Sequence, residues 1–239
     1  MSLCLTDVLI ELVHHIRLSF FAVIVGMISL YFWPMITKDT AVFWLLGSQM
    51  LDASDFFHIF HYPHITFAAA ACFIVVFRYA HHYWLSLLVS FLFPTAICTL
   101  SDIILPYLGG NLLGVAMDLH VCVFCNTQAV ALFLAAGILL GFAICFLDRS
   151  GKYLLKVGLA IHFLHELVSA VASLAYMVGF GFYTWQNHLL MVLILMFFAV
   201  VVPCVISDFL MPVFVVMLFK KNEVAGIFCA HEAEKKREE

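Results

Sequence analysis

The sequence predicts an all-α polytopic membrane protein: six transmembrane helices forming two inverted-topology three-helix repeats, with both termini cytoplasmic. Composition is the first reason. Of 239 residues, 65% are hydrophobic and 11% charged, and the mean hydropathy is +1.11. A soluble domain is closer to 45–50% apolar and about 25% charged, so this excess needs a bilayer as solvent. The cations are the second reason. With six spans and a cytoplasmic N-terminus, every Lys and Arg except Lys38 falls on the cytoplasmic side, as the positive-inside rule requires. A pair of recurring motifs is the third reason.

The elements follow in order. Thr6 to Arg17 mixes apolar residues with Asp7, Glu11, His14 and His15 and reads as an interfacial amphipathic helix. The spans are 17–37, 53–79, 85–106, 127–147, 154–180 and 189–218, each near the ~20 residues needed to cross the hydrocarbon core. The first has no small-residue cleavage site and is expected to stay in the mature chain. Polar or turn-forming stretches separate the spans, such as Lys38-Asp39, His81-His82, Gly109-Gly110-Asn111 and Gln186-Asn187-His188. Trp84 and Trp185 flank two of these turns as interfacial anchors. Segments 41–50 and 107–126 could re-enter the membrane. The organisation is then 1–110, 111–219 and a charged cytoplasmic tail, 220–239.

The repeats rest on two motifs. Residues 98–106 read CTLSDIILP and 204–212 read CVISDFLMP, both C-x-x-S-D-x-x-x-P. Upstream of each lies an HxxH, His58/His61 and His162/His165. The same order at nearly the same separation argues for duplication. Three spans per copy oblige the second copy to enter from the opposite side, as in many secondary transporters.

These motifs carry the candidate chemistry. Residues three apart on a helix are neighbours, so each HxxH can aim two imidazoles at one point. Ionisable groups inside a bilayer need partners or a cavity, and Asp102 and Asp208 are the natural ones. Two His and a carboxylate suit zinc, manganese, iron, cobalt or nickel. The expected ligands are His58, His61 and Asp102, with Asp55, towards the outside, and His162, His165, Glu166 and Asp208 towards the cytoplasm. Cys98 and Cys204, one turn before each Asp, could add softness. In the run LDASDFFHIFHYPHIT, ionisable groups recur every third residue from Asp52 to His64. Each three-residue step drifts by about 60° around a helix. Asp55, His58 and His61 are expected to share an arc, while Asp52 and His64 face elsewhere. Pro63 is expected to bend this helix. Asp118, His120, Cys122 and Cys125 offer a further set in the connection between the third and fourth spans, able to hold metal or act as a redox pair.

The functional expectation is a transporter of a divalent transition metal, with imidazoles exchanging protons for the ion. The alternative is an intramembrane metal-dependent enzyme, in which both clusters merge into a binuclear centre acting on a lipid or other membrane substrate. Separate clusters favour the first reading and shared ligands the second. A proton-coupled carrier of an organic solute is a third. No phosphate-binding glycine loop, serine-hydrolase elbow or HExxH is present, and no catalytic residue is assigned. The expected partners are the lipid bilayer and the metal ion. Homo-oligomers are compatible with the chain, and nothing points to nucleic acid. The compact length and short loops suit a bacterial inner membrane.

Overall fold

The computed structural model describes residues 13, 16–29, 31–32, 53–147, 154–207, 211 and 214–215. The described residues are helical apart from short connections, with no strand among them. The helices are α1 (Ile16–Ser29), α2 (Ala53–Ala80), α3 (Tyr83–Leu112), α4 (Thr127–Leu147), α5 (Leu154–Gly179) and α6 (Trp185–Cys204). Helices α2 to α6 are each long and apolar enough to cross a membrane, five among the described residues, and α1 is a shorter apolar helix. Segment 41–50, the charged tail 220–239, Asp52 and Asp208 lie outside the described residues. Segment 107–126 divides: 107–112 completes α3, and the rest is a connection holding one helical turn, Cys122–Cys125.

Helix α2 is the hub and packs most extensively on α5, then on α4 and α3. Its start meets the end of α5, through Phe57 against Tyr176 and Phe180, and its middle meets the middle of α5 through His64 and His165. The two therefore run antiparallel. Helix α4 lies parallel to α2, with Tyr62 on Phe133 and Phe73 on Phe142. Gly137 and Gly141 permit that approach: a Cβ at Gly137 would run into the Thr66 carbonyl and Ala69, and one at Gly141 into Phe73 and Ala70. Such small-residue seams are how helices pack where lipid removes the hydrophobic drive. The Thr66 hydroxyl adds a 2.9 Å bond to the Phe133 carbonyl. Helix α1 lies along α5, with Phe21 on Phe163 and the Ser19 hydroxyl donating to Glu166, and crosses α6 through Phe20 and Phe197.

Burial separates core from lipid-facing helices. In the most apolar window of α5, 72% of residues are buried, against 28% in α4. Yet α4 is the more hydrophobic helix (2.8 against 1.4 on the same hydropathy scale). Lipid is as apolar as leucine, so the greasiest helix belongs outside and the helix carrying His, Glu and Ser belongs inside.

Two backbone features differ from a regular bundle. Pro63 is accommodated inside a continuous α2. The irregular backbone lies instead at Leu100–Ile104 of α3 and Phe197–Val201 of α6, both π-helical and each followed by X-Pro, Leu105-Pro106 and Val202-Pro203. A proline supplies no N–H to the carbonyls one turn back, and a π-turn absorbs the disruption. In α3 the Ser101 carbonyl is reached instead by the Ser173 hydroxyl of α5, 3.2 Å away.

Candidate metal centre

Asp102 sits in the π-helical stretch of α3, fully buried. Its Oδ2 accepts from His61 Nδ1 at 2.8 Å and His64 Nδ1 at 2.6 Å, both on α2. Its Oδ1 accepts from the hydroxyls of Ser101 at 2.9 Å and Ser169 at 3.0 Å. Ser173 stands 3.3 Å away, with its one proton shared among this oxygen and the carbonyls of Ser169 and Ser101. An ionised carboxylate accepts about four bonds, so Asp102 is saturated. Charge-assisted bonds contribute about 1.5–3 kcal/mol each, which is how a carboxylate survives in this setting.

The carboxylate also fixes the imidazoles. It can only accept, so Nδ1 of both rings carries the proton and, in the neutral ring, each Nε2 keeps a lone pair. This is the carboxylate–histidine pairing that orients metal-binding imidazoles. His61 Nε2 is buried with no hydrogen-bond partner. His64 Nε2 lies 3.7 Å from Cys98 Sγ. The His64 ring stacks on His165 of α5, centroids 4.5 Å apart. His165 Nε2 in turn lies 4.0 Å from Cys204 Sγ of α6. His64, His165 and Cys204 each offer a ligand atom within 4.8 Å of the others, and so do His61, His64 and Asp102. Donors around a tetrahedral zinc-like ion are spaced by roughly 3.3–3.8 Å, so small rotamer changes would close the first set on an ion. The chemistry of the donors fits a divalent transition metal.

This geometry corrects the sequence reading in four places. His64, expected to face elsewhere, is the residue common to both ligand groups. His58, expected beside His61, turns away to His120, with Nε2 atoms 3.3 Å apart, and to Cys122. The drift along α2 causes both: the face towards Asp102 is centred on His61 and His64, leaving His58 at its edge. The two clusters expected on opposite membrane faces meet, because His64 of α2 stacks directly on His165 of α5. Asp55 is exposed and belongs to none of the compact ligand groups among the described residues.

Of the expected second cluster, His162 and Glu166 pair with each other on α5, and Asp208 lies outside the described residues. His162 Nε2 lies 3.2 Å from Glu166 Oε1, which also accepts from Ser19. Glu166 Oε2 is buried without a hydrogen-bond partner. The sequence reading missed His120 as the partner of His58, and missed Ser169 and Ser173 as donors to Asp102. The signal for the serines was present: Ser169 and Ser173 fall four apart, in register with His162, His165 and Glu166, and share their face of α5.

Burial pushes the Cys122 thiol up to about 12, with Cys125 and Asp102 adding to the shift. Cys122 and Cys125 are free thiols, so their CxxC forms no disulfide here. No protein family, curated protein or solved structure matches this chain. Its function is therefore argued from these residues.

Proposed function

We propose that this protein transports a divalent transition-metal cation across a membrane, using one central site shared by two inverted halves. The observation that carries the reading is the meeting of His64 with His165 and Cys204, behind which Asp102 holds the imidazoles. Ligands come from α2, α5 and α6, and the orienting carboxylate from α3. Sites at the interface of two halves, beside interrupted helices, are characteristic of alternating-access carriers.

Charge supports a divalent cargo. Asp102 and one thiolate, Cys204, balance the two charges of the ion, so a loaded site with neutral imidazoles is neutral overall. An uncompensated charge in this setting would be costly. With the ion absent, the Cys204 thiol keeps its proton. Loading then releases that proton, which makes counter-transport of protons the natural coupling. Sulfur in the donor set favours zinc or cobalt over manganese.

The inverted repeat is supported by paired contacts. Helix α4 lies parallel to α2 on a glycine seam, and α1 lies along α5 with Gly26 against Ala170. Helix α3 presents Cys98 to His64 as α6 presents Cys204 to His165. Helices α3 and α4 touch through Tyr83 and Phe142, and α6 and α1 through Phe197 and Phe20. Ile206 and Ser207 are π-helical at the start of the second SD motif, as Leu100 and Ser101 are in the first. A cytoplasmic location for both termini, in a bacterial inner membrane, follows from the cation distribution and short loops.

The test is zinc flux into proteoliposomes containing the full chain. Wild type is expected to move zinc, and His165→Gln to lose at least ~90% of the flux, since a ligand is removed from a three-ligand set. Flux in His165→Gln equal to wild type would overturn the reading. A second reading, the intramembrane metalloenzyme, is favoured by one observation: two compact groups of metal-binding side chains meet at His64. Zinc-dependent turnover of bilayer lipid without zinc flux would establish it instead.

A further inference from the structure

A second cluster of ligand atoms stands apart from the central one. It lies where α2 begins and α3 ends. His58 of α2, half-buried, faces His120 and Cys122 of the connection between α3 and α4. His58 Nδ1 donates to the Ser54 carbonyl at 2.7 Å, which leaves the Nε2 lone pair aimed at His120 Nε2, 3.3 Å away. That separation matches adjacent donors on a tetrahedral ion, about 3.3 Å for two nitrogens. Cys122 Sγ completes a set within 4.8 Å.

The cluster is held in place before any ligand arrives. The His120 ring stacks on Phe180, at 11° between planes. Its backbone N–H donates to the Tyr176 hydroxyl at 3.1 Å, and that hydroxyl donates to the Asp118 carbonyl at 3.0 Å. The Asp118 N–H donates to the Phe180 carbonyl at 2.9 Å. A connection ordinarily free to wander is thus tied at both 118 and 120 to the end of α5. Ordering of this kind spares the binding step its entropy cost. Between this cluster and the centre lies Phe57, fully buried, its ring against both His58 and His61 and wedged on Tyr176 and Phe180.

We propose that His58, His120 and Cys122 form a second, peripheral site for a divalent transition metal, which captures the ion at the bundle end and feeds it past Phe57 to the central site. Binding would release the Cys122 thiol proton to solvent, leaving a thiolate and two neutral imidazoles on the ion. The feeding role rests on the transport reading, but the existence of the site does not. The spacing of His58, His61 and His64 then has a purpose: one ligand for the peripheral site, one buried Nε2 between, and one ligand for the centre.

The experiment is cobalt(II) stoichiometry on the full chain in detergent, by elemental analysis after dialysis, beside His120→Ala, His120→Gln, Cys122→Ser and His165→Ala. Two ions in wild type are expected, one in each of the four variants. The His120→Gln variant preserves side-chain size in case His120→Ala misfolds. Two ions in properly folded His120 and Cys122 variants would overturn the peripheral site. One ion in wild type, lost only in His165→Ala, would overturn it too while leaving the central site standing. One ion in wild type, lost in the His120 variants and kept in His165→Ala, would support the peripheral site and overturn the central one. In zinc flux, His120→Ala is expected to raise KM by about tenfold with the maximal rate within about twofold, the pattern of lost capture. A reduced maximal rate at unchanged KM would overturn the feeding role.

Discussion

The central and peripheral clusters use the same side chains and set them in opposite surroundings. His64, His165 and Cys204 lie fully inside the bundle, backed by Asp102 and three serine hydroxyls. His58, His120 and Cys122 lie at its end, with two half-buried imidazoles whose backing is backbone: the Ser54 carbonyl and the tied connection. A buried carboxylate holds its imidazoles rigidly and adds charge, while a carbonyl orients without adding charge. The difference teaches that the same three side chains, two His and one Cys, can be held either by a charged, dry shell or by a neutral, wetter one.

The largest test of that contrast is stability. Asp102→Ala leaves two buried imidazoles and the Ser169 hydroxyl without the carboxylate they donate to, a loss of about 3–5 kcal/mol by analogy with broken buried pairs. His120→Ala removes a half-buried ring and should cost no more than about 1 kcal/mol. Thermal unfolding of the detergent-solubilised variants should separate them by many degrees. Equal midpoints would remove the distinction between the two shells.

Metal affinity sharpens the comparison next. His64→Ala takes a ligand from both central groups and should weaken the tighter cobalt-binding step by at least ~100-fold. His58→Ala should weaken only the looser step. Titration calorimetry distinguishes these outcomes, and a reversed order would exchange the roles of the two sites.

Thiol reactivity gives the smallest effect. Only the thiolate reacts readily, and burial pushes the Cys122 thiol up to about 12. With its proton held to higher pH, Cys122 should alkylate more slowly than exposed Cys125 at pH 8, by more than about a hundredfold. Its rate should keep climbing roughly tenfold per pH step to pH 11. Mass spectrometry of timed iodoacetamide labelling measures both. Equal rates would mean that the connection opens readily and is not held by Tyr176 and Phe180.

Much of the fold was legible because the bilayer imposes a simple rule on composition. The runs that became α2 to α6 were recognisable by length and hydropathy, and the two C-x-x-S-D motifs marked the stretches where α3 brings Cys98 and Asp102, and α6 brings Cys204, to the histidines of α2 and α5. The pairing of His61 with Asp102 was also legible, since a buried carboxylate needs a partner and few were on offer. What could not be read was rotation. A helix with an ionisable residue at every third position presents a spiral rather than a face, and nothing local states which part of it turns inward. That is why His64 was set aside and His58 was placed beside His61. Depth was equally hidden: His162 and His165 stand on one helix, yet one reaches the centre and the other stays with Glu166.

The sequence by itself therefore determined that the chain is a helical membrane protein, and which residue types it carries into the apolar interior. These follow from solvation, where each residue contributes by its own chemistry. Only the tertiary structure decided that His64 meets His165, that Asp102 serves two imidazoles at once, and that His120 and Cys122 come to His58 from the far side of a connection. Those outcomes depend on helix rotation and on the close approach permitted at seams such as Gly137 and Gly141. They are properties of pairs of helices, which no single stretch of sequence contains.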